Sequence, residues 1–133
     1  MIVVDTNVIG YLYLANPNSP QAEQALRKDA TWTAPLLWRS EFRSVLALYL
    51  RKQWLSLEAS QQIMTEALGL MQEQEYEVDS DQVLRLVASS RCSAYDCEFV
   101  ALAQALGLAL VTMDKQILRD FPKLATSLAD FAD

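Results

Sequence analysis

Four acidic residues that are far apart in the sequence each stand where an apolar segment leads into a helix. They are Asp5, Glu41, Asp96 and Asp114, and their irregular spacing means that no local turn can bring them together. A parallel sheet can, because every strand delivers its carboxyl end to the same edge. Two unit charges about 4 Å apart repel by on the order of 4 kcal/mol at an effective dielectric near 20, and a divalent cation with oxygen ligands relieves that repulsion. The pattern predicts an acidic cavity whose carboxyl groups lie close enough to share a metal ion.

The length and hydropathy of the chain predict a single domain over residues 1–133. The longest apolar run, residues 45–50, is far shorter than the roughly 18 residues that a membrane span needs. The first residues, M-I-V-V-D, contain neither a basic region nor a cleavable apolar stretch. We therefore expect a cytoplasmic protein that makes no contact with a membrane.

The absence of histidine limits the chemistry that is available to the chain. With no histidine and two cysteines, serine or cysteine triads are excluded and a zinc site is improbable. In a cytosolic protein Cys92 and Cys97 are expected to be reduced and largely buried thiols. Catalysis would have to use carboxylates, hydroxyl groups, cations or a bound metal.

Short apolar segments alternate with helical patterns along the whole chain, which is typical of an α/β domain with a mainly parallel sheet. The predicted strands are residues 1–5, 31–34, 76–78, 108–112 and 125–128. The predicted helices are residues 6–14, 19–28, 35–52, 56–73, 79–90, 93–106 and 115–121, with Gly107 placed to end the sixth.

Three of the four acids also have an ordinary structural explanation. Asp5 and Asp114 can cap the helices that follow them, which is a common position for aspartate. Asp96 ends the sequence S-A-Y-D, which matches a capping box. Glu41 is harder to explain in this way, because its helical neighbours are apolar and include no cation. A shared site explains the four acids together better than four separate caps do.

Charge is unevenly distributed in this chain of net charge −6. Residues 27–52 are net basic and surround Glu41, so they are a candidate contact for a polyanion. The cations that could contact phosphates are Arg39, Arg43, Arg51 and Lys52, with Arg39 and Arg43 nearest to Glu41 in sequence. The alternative is that these residues form a solvated helix face.

The two helices at residues 35–52 and 56–73 carry apolar residues on more than one side. Examples are Trp38, Leu48 and Leu50, with Trp54 between the helices. One stripe of each helix is enough for the core, so we expect the remainder to be buried against another protein chain. A symmetric homodimer is the commonest arrangement of this kind.

The chain resembles PIN domains, and among them most closely the VapC-type toxins of toxin–antitoxin pairs. The resemblance is carried by four segments in order, V-V-D-T-N-V-I, W-R-S-E-F, S-A-Y-D-C-E-F-V-A-L-A and V-T-M-D-K. It implies a PIN-like, three-layer fold in which helices flank a parallel sheet of four to five short strands. It also implies an endoribonuclease that depends on Mg²⁺ or Mn²⁺, forms a homodimer and is inhibited by a cognate antitoxin.

The same resemblance assigns roles to individual residues. Asp5, Asp96 and Asp114 would be direct metal ligands, and Glu41 would act through a water molecule or orient the nucleophile. Thr112 would orient a ligand or a water. The resemblance also implies a polar pair beside the first acid, Thr6 and Asn7, as substrate-binding residues. It leaves Glu98 without a role, since the family often has a small or aromatic residue there.

Two other classes of function remain open from the sequence. One is a catalytically silent PIN-like domain that only binds, because retained acids do not prove turnover. The other is a phosphoacceptor switch of the receiver type, for which Thr112 and Lys115 are suitable. Receivers have an acidic pair after the first strand, whereas here Asp5 is followed by Thr6 and Asn7.

Overall fold

The computed structural model describes residues 1–133, which form five short strands and eight helices. The strands are β1 (Ile2–Val4), β2 (Trp32–Pro35), β3 (Glu75–Tyr76), β4 (Leu110–Thr112) and β5 (Ala125–Ser127). The helices are α1 (Thr6–Tyr13), α2 (Ser19–Lys28), α3 (Leu37–Arg51), α4 (Leu57–Leu70), α5 (Ser80–Ala88), α6 (Ala94–Leu106), α7 (Lys115–Asp120) and α8 (Leu128–Ala132).

The strands form one sheet in the order β3-β2-β1-β4-β5, and every neighbouring pair is parallel. This confirms the predicted parallel sheet of short strands. The receiver-type alternative requires the order 2-1-3-4-5, so the observed order excludes it. The direction in which the chain crosses the sheet reverses between β1 and β4, and α/β folds bind ligands at such a switch point.

Helices cover both faces of the sheet. Every residue of β1, β2 and β4 is buried, and successive residues of a strand point to opposite faces. Helix α6 packs against all three of these strands, while α1 packs against β4 and α2. The molecule therefore has three layers, as expected.

Helix α3 contributes one stripe to the core. Trp38, Phe42 and Leu46 are buried at intervals of four residues, which places them on one side of the helix. Of the apolar residues expected on more than one side of this helix, Trp38 therefore belongs to the stripe that packs in the core. Leu48 and Trp54 do remain outside, with 48% and 61% of their surfaces exposed.

The other predicted elements are present with ends shifted by a few residues. Gly107 ends α6 in the left-handed conformation with φ of 66°, as predicted. Helix α8 was not predicted, because five residues are too few to show a helical period, although Ser127 caps it by accepting a hydrogen bond from the Asp130 N–H at 3.1 Å. None of the eight helices has the length and apolar character needed to cross a membrane.

Candidate active site

The structure brings the four separated acids together at the carboxyl edge of the sheet. Asp5, Glu41, Asp96 and Asp114 all line one open cavity of about 660 Å³. Two of them follow the neighbouring central strands β1 and β4, while Glu41 lies in the second turn of α3 and Asp96 in the first turn of α6. The cavity therefore opens at the switch point of the sheet, where the fold provides room for a ligand.

Asp5 is the most deeply buried of the four acids, with 7% of its surface exposed. It caps α1, since its Oδ1 accepts a hydrogen bond from the Thr6 N–H at 2.8 Å. Its Oδ2 accepts a second bond from the Thr112 hydroxyl at 2.7 Å. Both donors are neutral, so Asp5 has hydrogen-bond partners but no compensating charge.

Thr112, at the end of β4, connects the first acid to the last. Its buried hydroxyl donates to Asp5 and accepts a hydrogen bond from the Asp114 N–H at 3.0 Å. Asp114 in turn caps α7 by accepting a bond from the Ile117 N–H at 2.9 Å. Thr112 is not among the residues that line the cavity, so its contacts make it a positioning residue for Asp5 and Asp114.

Thr6 positions Glu41 in a similar way. The buried Thr6 hydroxyl donates to Glu41 Oε1 at 2.7 Å, which leaves the other carboxylate oxygen of Glu41 without a protein partner. The neighbouring Asn7 also lines the cavity, and its buried Oδ1 accepts no hydrogen bond. A buried carbonyl oxygen without a partner is costly, so this atom is a candidate contact for a bound water or ligand.

Asp96 lies in the first turn of α6, as the sequence predicts. The Ser93 hydroxyl caps this helix by accepting a hydrogen bond from the Asp96 N–H at 3.1 Å. The bond uses the backbone of Asp96, so capping by Ser93 and presentation of the Asp96 carboxyl group to the cavity are compatible. Asp96 can therefore belong to the capped first turn of α6 and to the acidic site at the same time.

Burial and mutual repulsion raise the pKa values of the cavity acids. Burial raises the pKa of Asp5 to about 7, with smaller contributions from Glu41 and Asp96 and partial relief from the bonds to Thr112 and Thr6. Burial also raises the pKa of Glu41, and the nearby charges of Asp96 and Glu98 raise it further. The pKa of Asp96 is raised by burial and then by Asp114.

The cavity acids fit a hard divalent cation. None of them forms an ion pair, because the three salt bridges of the molecule are elsewhere. As the side chains lie, no three acidic groups are close enough to hold one ion, and the sharing of a metal by these carboxyl groups stays a prediction. Mg²⁺ usually retains several waters and uses one or two carboxylates, and the donor set still suits it.

The cations predicted to contact substrate lie in different places. Arg39 donates from Nε to Glu75 Oε2 at 2.6 Å and pairs with the same carboxylate through its terminal nitrogen. Arg43 is exposed and donates to the Arg39 carbonyl and the Ser40 hydroxyl, both at 3.2 Å. Neither arginine lines the cavity.

Arg51 is the basic residue that does line the cavity. It lies ten positions after Glu41 on α3, and the intervening Ser44 and Leu48 also line the cavity. Positions spaced by three or four residues share one side of a helix. That spacing distinguishes Arg51 from the other cations of the basic segment, and sequence reasoning did not use it.

Glu98 and the two cysteines lie outside the cavity. Glu98 lies in a neighbouring groove with Leu36 and Tyr76, where burial raises its pKa. Both cysteines are buried and unpaired, as predicted. Burial, and secondarily the charge of Asp120, raises the pKa of the Cys92 thiol to about 12, so that thiol stays protonated and unreactive.

The arrangement of acids on this sheet defines a PIN domain, and the sequence agrees. Residues 2–124 match the family model for the PIN domain, so the chain belongs to this family. It is 27% identical over 128 residues to Ribonuclease VapC3 of Pyrobaculum aerophilum, a match that covers 94% of this chain and 98% of that protein.

Solved structures show the same fold. The crystal structure of PAE2754 from Pyrobaculum aerophilum superposes with a TM-score of 0.79 at 20% identity, covering 98% of this chain and 92% of that one. A chain of a toxin–antitoxin complex from Klebsiella pneumoniae superposes with a TM-score of 0.72 at 17% identity, covering 96% and 98% of the two chains. The PIN architecture therefore extends over nearly the whole chain.

Proposed function

We propose that this chain is a divalent-metal-dependent endoribonuclease and the toxin of a VapBC-type toxin–antitoxin pair. The observation that carries the proposal is the cavity in which four acids converge and none of them forms a salt bridge. The similarity to Ribonuclease VapC3 over nearly the full length of both chains supports RNA as the substrate. Residues 1–133 act as one domain, since their buried apolar side chains form a single cluster.

Asp5, Asp96 and Asp114 are the residues that would hold Mg²⁺ or Mn²⁺ in this proposal. A bound divalent ion would supply a water of lowered pKa and would offset charge on the phosphodiester. The residues of the chain keep the acids in place, since Thr112 fixes Asp5 and Asp114.

Glu41 is the residue that would act on the attacking water. Its Oε1 is held by Thr6, and its other oxygen is available to accept a hydrogen bond or a proton from that water. Burial and the neighbouring acids raise the pKa of Glu41, which makes it a stronger base than an exposed glutamate. Asn7, which lines the cavity, would contact the RNA.

Contact with the RNA backbone involves α3 in this proposal. The bidentate pair with Glu75 makes Arg39 a poor candidate, since a phosphate would have to displace that carboxylate. Arg43 is exposed and has only weak contacts within its own helix, so it stays a predicted phosphate contact. An enzyme that cuts cellular RNA acts in the cytoplasm, and we propose that location.

Two protein partners belong to the proposal. A cognate antitoxin would lay an apolar segment in the small groove that Tyr11, Leu14 and Tyr49 form beside the cavity, and a basic side chain of the antitoxin would enter among the acids. A homodimer would bury the exposed apolar residues Leu36 and Leu84, which flank a groove of about 470 Å³. Light scattering that shows only a 15 kDa monomer at tens of micromolar would contradict the dimer.

Cleavage of labelled RNA with and without a chelator tests the function. We expect cleavage with Mg²⁺ or Mn²⁺, none with the chelator, and a loss of at least about a thousandfold in Asp96→Asn. The matched control is Asp79→Asn, because Asp79 caps α5 by accepting a bond from the Gln82 N–H but lies outside the cavity. Full activity of Asp96→Asn would reduce Asp96 to a structural residue, and a folded wild type that cleaves no RNA would favour the silent binding module.

A further inference from the structure

The end of α3 places an unpaired cation at the rim of the acidic cavity. Arg51 is the only basic residue among those that line the cavity. It is exposed and takes part in none of the three salt bridges. A guanidinium without a protein partner can bind a phosphate through two hydrogen bonds. The location of Arg51 therefore suits the backbone of a nucleic acid whose scissile bond lies among the acids.

A tight turn after Arg51 presents Trp54 to solvent. Gln53 adopts the left-handed conformation with φ of 60°, and its N–H donates to the Leu50 carbonyl at 3.0 Å. The Trp54 N–H donates to the Tyr49 carbonyl at 2.9 Å. This pair of bonds is the Schellman arrangement that ends many helices, and a residue other than glycine at the left-handed position is uncommon there. The backbone at Trp54 is thus fixed by two hydrogen bonds.

The indole of Trp54 is also held by its neighbours. The Tyr49 ring meets it edge to face, with 5.2 Å between centroids and an interplanar angle of 88°. The ammonium of Lys52 lies 4.7 Å from the centre of the indole ring. The Schellman arrangement commonly includes an apolar contact at this place, which accounts for the contact with Tyr49. It does not account for the 61% of the Trp54 surface that stays exposed.

The surface is continuous from the acids to Trp54. The acidic cavity shares Thr6, Asn7 and Val45 with the adjoining small groove, and Tyr49 lines that groove. The chain has no acidic residue from position 42 to position 57, although its net charge is −6. A segment without acidic residues that carries the unpaired Arg51 and an exposed aromatic ring matches single-stranded nucleic acid, which binds through phosphate contacts and base stacking.

We propose that Arg51 and Trp54 form a nucleotide-binding subsite beside the acidic cavity, in which Arg51 holds a backbone phosphate and the indole of Trp54 stacks on an RNA base. The subsite rests on the ribonuclease function proposed above and defines its substrate as unpaired RNA. Bases in a duplex already stack on each other, so their faces are not available to Trp54.

Binding of a labelled single-stranded RNA of about 12 nucleotides to the Asp96→Asn protein tests the subsite without cleavage. We expect Trp54→Ala to weaken binding about tenfold and Trp54→Phe, which keeps a ring, to retain most of the affinity. The matched control is Leu57→Ala, since Leu57 is exposed to a similar extent, 62%, at the start of α4, and the RNA affinity of this variant should not change. Arg51→Gln should flatten the dependence of log affinity on log salt by about 0.7.

Two further measurements distinguish a loss of base stacking from a general loss of structure in the variant. Trp32 and Trp38 are buried, so quenching of the solvent-exposed tryptophan emission reports on Trp54. RNA should quench it, whereas an abasic oligonucleotide of the same length should not, and Trp54→Ala should leave the affinity for the abasic oligonucleotide unchanged. An equal loss of affinity for both oligonucleotides, or no loss for either, would overturn the stacking subsite.

Cleavage assays on proteins that retain Asp96 distinguish failure of the subsite from failure of the proposed ribonuclease function. Metal-dependent cleavage together with unchanged RNA binding by Trp54→Ala and Trp54→Phe would overturn the subsite alone. A folded protein that neither cleaves nor binds RNA would overturn the proposed function and the subsite together. Binding that depends on Trp54 in a protein without nuclease activity would support the subsite and contradict the nuclease.

Discussion

Two carboxylates of this molecule have opposite electrostatic surroundings, and Asp5 is the more deeply buried of the two. Glu75, at the β3 edge, has 11% of its side chain exposed and accepts hydrogen bonds from Arg39 and, at 2.7 Å, from the Trp38 indole N–H. Asp5, in the cavity, is 7% exposed and accepts from a backbone amide and the Thr112 hydroxyl. The bonds from Arg39 lower the pKa of Glu75, whereas burial raises the pKa of Asp5 to about 7.

The difference shows that hydrogen bonding alone does not compensate a buried charge. The chain provides a guanidinium for Glu75 but no cation for Asp5, and Glu41 and Asp96 share that lack. A fold selected only for stability would neutralise these groups or leave them in water. The cavity therefore retains uncompensated negative charge, which a divalent ion can neutralise.

The largest expected effect follows from removing the uncompensated charge. Because folding raises the pKa of Asp5 from 3.8 to about 7, the folded state holds an extra proton in that window, and stability falls as the pH rises through it. Asp5→Asn should therefore stabilise the metal-free protein by on the order of 3 kcal/mol at about pH 8. Urea unfolding with chelator measures this, and the gain should shrink towards about pH 5. Destabilisation of the protein by Asp5→Asn at pH 8 would contradict the conclusion that the charge of Asp5 is uncompensated.

Glu75→Gln should have the opposite sign. The substitution leaves Arg39 beside a neutral group and should destabilise the protein at neutral pH, by less than Asp5→Asn stabilises it, because solvent screens the exposed Arg39. Because the pKa of Glu75 lies below its ordinary value of 4.5, this contribution is present above that pH and disappears as the pH falls through the lowered pKa. Urea unfolding at pH 7 and at about pH 4 measures the loss. Equal stability of the two proteins at pH 7 would show that Arg39 does not compensate Glu75.

Thr112→Val tests whether the Thr112 hydroxyl positions the acids of the cavity. The substitution keeps the shape but removes the hydroxyl that lowers the pKa of Asp5 and receives the Asp114 N–H. We expect about a tenfold loss of Mn²⁺ affinity, which corresponds to about 1.4 kcal/mol. Calorimetric titration measures it, and Thr33→Val is the control, because Thr33 is buried in the adjacent strand and its hydroxyl has no partner. Unchanged Mn²⁺ affinity in Thr112→Val would show that Thr112 does not position the acids.

The parallel sheet and the meeting of the four acids could be predicted from the sequence. Strands β1, β2 and β4 are buried on both faces and are therefore mainly apolar, with Asp5 and Asp114 shortly after two of them. Parallel strands carry such residues to one edge whatever their separation in the chain. Helix α8 escaped prediction because its five residues show no period.

The partners of individual side chains could not be predicted. Arg39 looked available for phosphate, but β3 places Glu75 beside it from 36 positions away, and no local pattern indicates that pairing. The bond from Thr6 to Glu41 is equally distant in sequence. Arg51 could have been singled out by its helical spacing from Glu41, since that spacing is local. Sequence patterns fix which face of an element a residue occupies, whereas its partner on another element depends on the packed structure.

Calorimetric titration of Mn²⁺ tests the central claim, that the cavity holds negative charge which the protein leaves for a divalent ion. At about pH 8 the wild type and Glu75→Gln should bind Mn²⁺ with similar affinity, whereas Asp5→Asn should not bind it measurably. Wild-type affinity should fall as the pH drops below 7, with release of a proton on binding, because Asp5 must be ionised to act as a ligand. Equal Mn²⁺ affinity in Asp5→Asn and wild type, or no Mn²⁺ binding by folded wild type at pH 8, would contradict the account.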